Sequence, residues 1–246
     1  MNQTGQAENI IGSDETGAGD YYTPLVVAAV FVPRANWDYF RSLGVRDSKQ
    51  ISDRQVLKLF ELIKKRIKSS VRYLDQNEYN RLNKTYNANE LKTLLHFQAL
   101  LSLAERLEQV DLAIVDDFAK TNGGVNSTTR MRRYVKKLAQ AGTFGVFWPT
   151  WPLRFETQAE GKYICVAAAS IVARAKLIER MQIQNKSYNT LFPLGSSNPK
   201  IVSVGRELVL KHGPGVLWKV AKHSFKTTLQ ILKLVAEHSG RVGYEN

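Results

Sequence analysis

The sequence predicts an α/β fold with a helical C-terminal extension, and three observations carry that prediction. Apolar runs of strand length alternate with longer segments of helical periodicity. The chain of 246 residues is 43% apolar, ample for a packed core and far from the composition of a disordered chain. Beyond Tyr188 the pattern changes, passing through a loop rich in Pro, Gly, Ser and Asn into further helical segments.

Strand-like segments fall at Asn9–Asp14, Leu25–Val32, Val71–Leu74 and Leu112–Asp116, with a weaker one at Phe144–Trp148. Between them, Ser52–Lys68 repeats Val56, Leu59, Phe60, Ile63 and Ile67 at helical steps behind the caps Ser52 and Asp53. Glu90–Val110 does the same with Leu91, Leu94, Leu95 and Leu101. Further helices are predicted at Thr128–Gln140, Tyr163–Met181, Val202–His212 and Phe225–His238. With no internal repeat, the expected organisation is a flexible N-terminus (1–9), an α/β core (10–187) and a loop and helical extension of the same domain (188–246).

Charge narrows the function. Lys and Arg number 35 against 22 Asp and Glu, a net charge of +13, and the commonest partner of so basic a folded chain is a polyphosphate backbone. Cys165 is the single cysteine, which excludes an internal disulfide and a cysteine-based zinc site and points to an intracellular protein. The first nine residues lack a basic or apolar leader pattern, and no run approaches the ~18 apolar residues of a membrane span. The expectation is a cytoplasmic protein with no membrane association.

Carboxylates at strand ends carry the chemistry. In Ile10–Val30 an apolar strand runs into Asp14 and Glu15, then Gly17 and Gly19. Neighbouring residues of a strand face opposite sides, so both acids reach one site only if the strand ends there and the glycines redirect the chain. A hairpin rim with solvated acids fits the same residues. At Ile114–Phe118 a second strand ends in Asp116 and Asp117, with Asp116 as the inward member and Asp117 as a cap or solvated neighbour. Carboxylates from two strand ends would form a hard, oxygen-only site suited to Mg²⁺ or Mn²⁺. Glu160 stands just before a helix whose Ala167, Ala168, Ala169 and Ser170 allow close packing, where a capping role competes with ligation.

These segments together resemble the type 2 ribonucleases H, and more closely their ribonuclease HIII branch. The matching landmarks are GSDETGAGDYYTP at Gly12–Pro24, GVRDSK at Gly44–Lys49, YN at Tyr79–Asn80, NANELKTLLH at Asn87–His96, IVDDF at Ile114–Phe118, AEGKYICVAAASIVAR at Ala159–Arg174 and AKHSFKTT at Ala221–Thr228. The resemblance implies an RNase H-like fold, a mixed central sheet flanked by helices. It also implies a catalytic and metal-binding set of Asp14, Glu15, Asp116 and Glu160. The fourth acid is Glu, as in the HIII branch, and the first motif reads Gly-Ala-Gly rather than the Gly-Arg-Gly of the HII branch.

The implied function is a hydrolase: an endoribonuclease that cuts the RNA strand of RNA/DNA hybrids with two Mg²⁺ or Mn²⁺ ions, leaving 5′-phosphate and 3′-hydroxyl ends. The Thr16, Gly17, Ala18 and Gly19 turn is the candidate sensor of the ribose 2′-hydroxyl, while Ser48 and Lys49 are candidate phosphate ligands and Lys162 faces the site. Basic clusters at Arg130, Arg132, Arg133, Lys136 and Lys137 and at Lys211, Lys219, Lys222 and Lys226 either follow phosphates or are solvated helix faces. His96 and His223 read as packing or hydrogen-bonding residues. The expected partner is an RNA/DNA hybrid duplex, bound by a monomer without an organic cofactor. The alternatives are cleavage at single ribonucleotides, as in the HII branch, and a non-catalytic hybrid-binding protein. Two departures stand out: ribonucleases HIII usually carry a separate N-terminal substrate-binding domain, whereas about ten residues precede the first strand, and Gln158 replaces a lysine often found two positions before the fourth acid.

Overall fold

A computed structural model describes residues 8–45, 51–118 and 126–242, with side chains through 237. The expected N-terminal tail therefore falls almost wholly outside the described residues. The elements in chain order are β1 (Ile10–Thr16), β2 (Leu25–Phe31), α1 (Trp37–Ser42), α2 (Asp53–Ile63), β3 (Lys68–Leu74), α3 (Gln76–Asn83), α4 (Ala88–Ala104), β4 (Leu112–Asp116), α5 (Ser127–Gln140), β5 (Leu153–Glu156), α6 (Ile164–Tyr188), α7 (Pro199–His212), α8 (Val216–Val220) and α9 (Lys226–Val242).

The sheet has strand order β3-β2-β1-β4-β5. It is mixed: β1 pairs antiparallel with β2 and parallel with β4, and β4 pairs parallel with β5. Parallel pairing sends the C-terminal ends of β1, β4 and β5 to one edge, where open α/β sheets gather their ligands. The continuous apolar run of β2 is buried from Leu25 to Val30, as expected for a strand covered on both faces.

Helices form the two covering layers of the sheet. Helix α4 begins with a capping box, Asn87 and Glu90 each satisfying the other's backbone amide, and it is buried around most of its circumference. Helix α6 brings Ala167, Ala168, Ala169 and Ser170 into the core. Its approach to β1 is so close that a Cβ on Gly12 would lie 2.3 Å from both the Cys165 carbonyl carbon and the Val166 nitrogen. Cys165 is a buried free thiol, pushed up to about 12 by burial and hence unreactive.

Several boundaries differ from the sequence prediction. Phe144–Trp148 is not a strand: Gly145 takes φ +63° and Phe147 is 59% exposed. The fifth strand is instead Leu153–Glu156, only four residues long. The helix expected to run to Lys68 stops at Ile63, and Lys68 opens β3. Short α1, α3 and α8 were not predicted, although Asp75 and Glu78 form a readable capping box for α3.

By Cα proximity the chain groups into two compact units. Among the described residues, the first draws on the ranges 1–16, 26–73 and 87–178, and so holds nearly the whole sheet with α4, α5 and most of α6. The second comprises 17–25, 74–86 and 179–246, holding the glycine-rich turn, α3, the end of α6 and α7 to α9. No helix among the described residues is long and apolar enough to cross a membrane.

Candidate active site

The strand register places the acids. Pairing of β1 with β4 runs to Ser13 opposite Val115, so Asp14 and Asp116 are the next residues out on adjacent parallel strands. Pairing of β1 with β2 continues further, with Glu15 opposite Val27 and Thr16 opposite Val26. The strand therefore does not end at the acids, contrary to the geometric condition drawn from sequence, and strand alternation is retained. Gly12 and Asp14 face α6, whereas Ser13 and Glu15 face α4.

Asp14 is 2% exposed. One carboxylate oxygen, Oδ1, accepts the Glu15 amide at 2.7 Å, while Oδ2 is buried and accepts no well-formed hydrogen bond. Burial, with the charges of Glu15 and then Asp116, holds the Asp14 carboxyl well above the usual carboxylate range, and the nearby Ser170 hydroxyl eases it only in part. Asp116 on β4 accepts the Ala159 amide at 2.9 Å. That bond anchors the tight turn Ala159–Gly161 carrying Glu160, which Gln158 enters in the left-handed conformation at φ 54°. Asp117 instead accepts the Ser127 hydroxyl at the first residue of α5; the cap of that helix is Asn126, so Asp117 is a neighbour and not the cap.

Glu15 has different surroundings. Its Oε2 lies 3.1 Å from His96 Nε2 and its Oε1 lies 3.6 Å from the Lys92 ammonium. Burial works against the Glu15 carboxylate, but the His96 hydrogen bond and the charges of His96 and Lys92 bring it net below the ordinary glutamate value. The Ser13 hydroxyl donates to the Ala28 carbonyl at 3.0 Å and meets His96 Nδ1 at 2.7 Å. His96 thus has the hydrogen-bonding role read from sequence, with its ring stacked on Phe118 at 5.0 Å. Lys92 was missed, although it stands one helical turn before His96 as a charge inside the apolar run of α4.

Among the described residues, no three His, Cys, Asp or Glu side chains already close on a common point at ligating distance. The reason lies in the two faces of β1: Glu15 is drawn to α4, while Asp14 faces α6 beside the like charge of Asp116. The donor set nevertheless suits hard divalent ions. It offers only oxygen, and the buried Asp14 carboxyl is charged at a cost that a cation would offset.

A pH dependence follows from that cost. The folded state raises the Asp14 value, so the favourable contribution is fully present below the ordinary aspartate value and is lost as pH rises through the raised one. In EDTA, the wild type should lose more stability between pH 5 and pH 8 than Asp14→Asn, and at pH 8 the variant should be more stable by at least about 1 kcal/mol. Urea denaturation at the two pH values checks both statements.

The other predicted contacts divide by location. Ser48 and Lys49 lie outside the described residues. Lys162 donates to Glu156 Oε1 at 2.7 Å and to the Thr157 carbonyl at 2.9 Å, while Tyr163 donates to Glu156 Oε2 at 2.7 Å. On α5, Arg132, Arg133 and Lys136 are exposed, with Arg132 over the Trp148 ring, whereas Lys137 grips both oxygens of Glu90 at 2.8 and 2.9 Å. In the second unit, Lys211, Lys219 and Lys226 are not buried, but Lys222 is wholly buried and is removed from the set of surface charges. His223 is exposed, its ring against Trp218.

With this geometry established, comparison with known proteins is decisive. The family model described as Ribonuclease HII matches residues 11–228. The chain belongs to the ribonuclease HII family. Within this family of type 2 ribonucleases H it is similar to proteins of the ribonuclease HIII branch. Ribonuclease HIII of Ureaplasma parvum is 34% identical over 229 residues, covering 92% of this chain and 68% of the relative. Ribonuclease HIII of Listeria monocytogenes is 32% identical over 232 residues, 93% and 70% of the two chains. Among solved structures, Bst-RNase HIII in complex with Mn²⁺ matches with TM-score 0.82 at 28% identity, over 93% of this chain and 70% of that one. Ribonuclease H2 of Pyrococcus horikoshii, at 23% identity and TM-score 0.73, covers 93% and 99% and shares the fold. The expected RNase H-like fold and HIII resemblance are both borne out.

Proposed function

We propose that this ribonuclease HIII relative is an endoribonuclease that hydrolyses the RNA strand of RNA/DNA hybrids with two divalent ions, Mg²⁺ or Mn²⁺, leaving 5′-phosphate and 3′-hydroxyl ends. The observation that carries the reading is the pair Asp14 and Asp116. They stand on adjacent parallel strands at one sheet edge, with a buried Asp14 oxygen lacking a well-formed hydrogen bond and Glu160 tied in through Asp116.

In this reading Asp14, Glu15, Asp116 and Glu160 hold the ions, with Glu15 reaching round the edge of β1 that is open beyond Ser13, where the pairing with β4 has ended. When bound, the ions activate the attacking water and stabilise the leaving 3′ oxygen. The chain's own residues prepare the site. Lys92 and His96 keep Glu15 charged in a buried setting, and Asp116 fixes the turn that presents Glu160. The Thr16–Gly19 turn follows Glu15 directly in the chain, and its backbone amides are the donors for the ribose 2′-oxygen. Ser48 and Lys49 bind the scissile or adjacent phosphate, Lys162 is held near by Glu156, and the exposed basic residues of α5 follow the duplex. The protein acts as a cytoplasmic monomer without an organic cofactor.

Three end-labelled duplexes test the reading: an RNA/DNA hybrid, DNA carrying one ribonucleotide, and all-DNA, each with Mg²⁺ or Mn²⁺. Cutting of the hybrid in preference to the other two supports it. Preferred cutting at the single ribonucleotide would move the protein to HII-like specificity, and binding without cutting would leave a non-catalytic hybrid-binding protein.

A further inference from the structure

We infer that Lys222 is a positioning residue, whose buried ammonium shapes the Gly17–Thr23 turn so that the Ala18 amide points outward to meet the substrate ribose. The inference rests on the proposed role of that turn in sensing the 2′-hydroxyl.

Lys222 is 0% exposed and lies just after α8 in the second unit. Its Nζ donates to the carbonyls of Gly17 at 2.6 Å, Asp20 at 2.6 Å and Thr23 at 2.7 Å. An ammonium has three N–H groups, and three carbonyls converge on it; a neutral amine would turn a lone pair toward one of them. Three carbonyl dipoles aimed at one point repel each other unless a cation sits among them. Lysine thus does for this turn what a bound cation does for a loop of carbonyl ligands. Burial pushes the Lys222 ammonium down to about 7, with the charge of Asp20 acting the other way.

The clamp fixes direction as well as shape. No cis peptide occurs among the described residues, so each amide N–H points opposite to the carbonyl of its own peptide unit. With Gly17 O drawn inward to Lys222, the N–H of Ala18 leaves the turn on the other side. Gly17 permits this with φ +80°. The remaining turn is pinned independently. Thr23 Oγ1 donates to Gly17 O at 3.0 Å, the Lys222 amide donates to Tyr21 O at 2.9 Å, and Tyr21 N donates to Gly195 O at 2.7 Å. Among the described residues the amides of Ala18 and Gly19 donate no hydrogen bond, and a methyl group added to Gly19 would meet nothing within 4 Å. The turn therefore offers donors on its open side while its carbonyls are consumed on the buried one.

The 2′-hydroxyl is not a reactant when hydrolysis leaves a 5′-phosphate, so preference for RNA is purely recognition. The test compares kcat/KM on an RNA/DNA hybrid with that on a hybrid whose RNA strand is entirely 2′-fluoro, which removes the hydroxyl. The proteins are wild type, Lys222→Met and Thr23→Val, each checked by thermal melting. Wild type should prefer the RNA strand at least about a hundredfold. Lys222→Met should lower that preference at least about tenfold, chiefly by slowing the RNA strand, and Thr23→Val should lower it by about threefold. If Lys222→Met does not fold, Thr23→Val decides alone. Folded variants that lose rate equally on both substrates, keeping the wild-type preference, would overturn the positioning role and leave Lys222 a structural residue. A wild type without preference would overturn the sensing role of the turn itself, and the inference with it.

Discussion

Asp116→Asn should reduce kcat on an RNA/DNA hybrid by at least about a thousandfold while leaving the melting temperature in EDTA unchanged or higher. The two effects separate because Asp116 has two tasks. Its Oδ1 accepts the Ala159 amide at 2.9 Å and so anchors the turn that carries Glu160. An asparagine oxygen can accept the same hydrogen bond, so the turn survives. What disappears is the negative charge, which in the proposed reading is a ligand charge for divalent ions and which is also one of the charges that raise Asp14. Removing it relieves the ion-free protein and disables the loaded one. Asp116→Ala should behave differently, losing activity and stability together because the Ala159 amide is left without its acceptor. Single-turnover cleavage at saturating hybrid, paired with thermal melting of both variants, distinguishes charge from architecture.

Gly12→Ala should prevent folding or destabilise the protein by more than about 3 kcal/mol, the upper end of ordinary overpacking. The added Cβ would meet Cys165 and Val166 backbone at 2.3 Å, well inside any contact that real Cβ atoms make. Flexible side chains can give way, but the first turn of α6 cannot move without disturbing its neighbours. Gly12 lies two residues before Asp14 on the same face of β1, so the close approach also sets the surroundings of the Asp14 carboxylate. Gly215→Ala is the matched control, since a Cβ there has nothing within 4 Å and Gly215 already has helical dihedrals. Soluble yield and urea midpoints should separate the two variants clearly.

Long periodic elements and the acidic strand ends were legible from sequence, and short or context-dependent elements were not. Strands β1, β2 and β4 announce themselves by apolar runs, and α4 by its leucines. Strand β5 has four residues and little pattern, so the more hydrophobic Phe144–Trp148 drew the assignment that belonged to Leu153–Glu156. Only parallel pairing with β4 makes β5 a strand. The four acids stood out by position at strand ends and before a helix. That Asp14 and Glu15 keep to opposite faces of β1 did not, because only the structure shows the antiparallel ladder with β2 continuing through Thr16. Lys222 shows the opposite failure. As one lysine among 35 Lys and Arg residues it read as surface charge, and only the convergence of three carbonyls upon it reveals a buried cation. Lys92 escaped for the same reason, since its meaning depends on Glu15, distant in sequence and adjacent in space.

The central claim is that Asp14, Glu15, Asp116 and Glu160 together hold divalent ions. The most direct test is Mn²⁺ binding, followed by electron paramagnetic resonance titration, for wild type and for Asp14→Asn, Glu15→Gln, Asp116→Asn and Glu160→Gln. Each substitution removes one ligand charge at nearly constant shape and should weaken binding at least about tenfold. Wild-type affinity in Asp116→Asn and Glu160→Gln would contradict the claim.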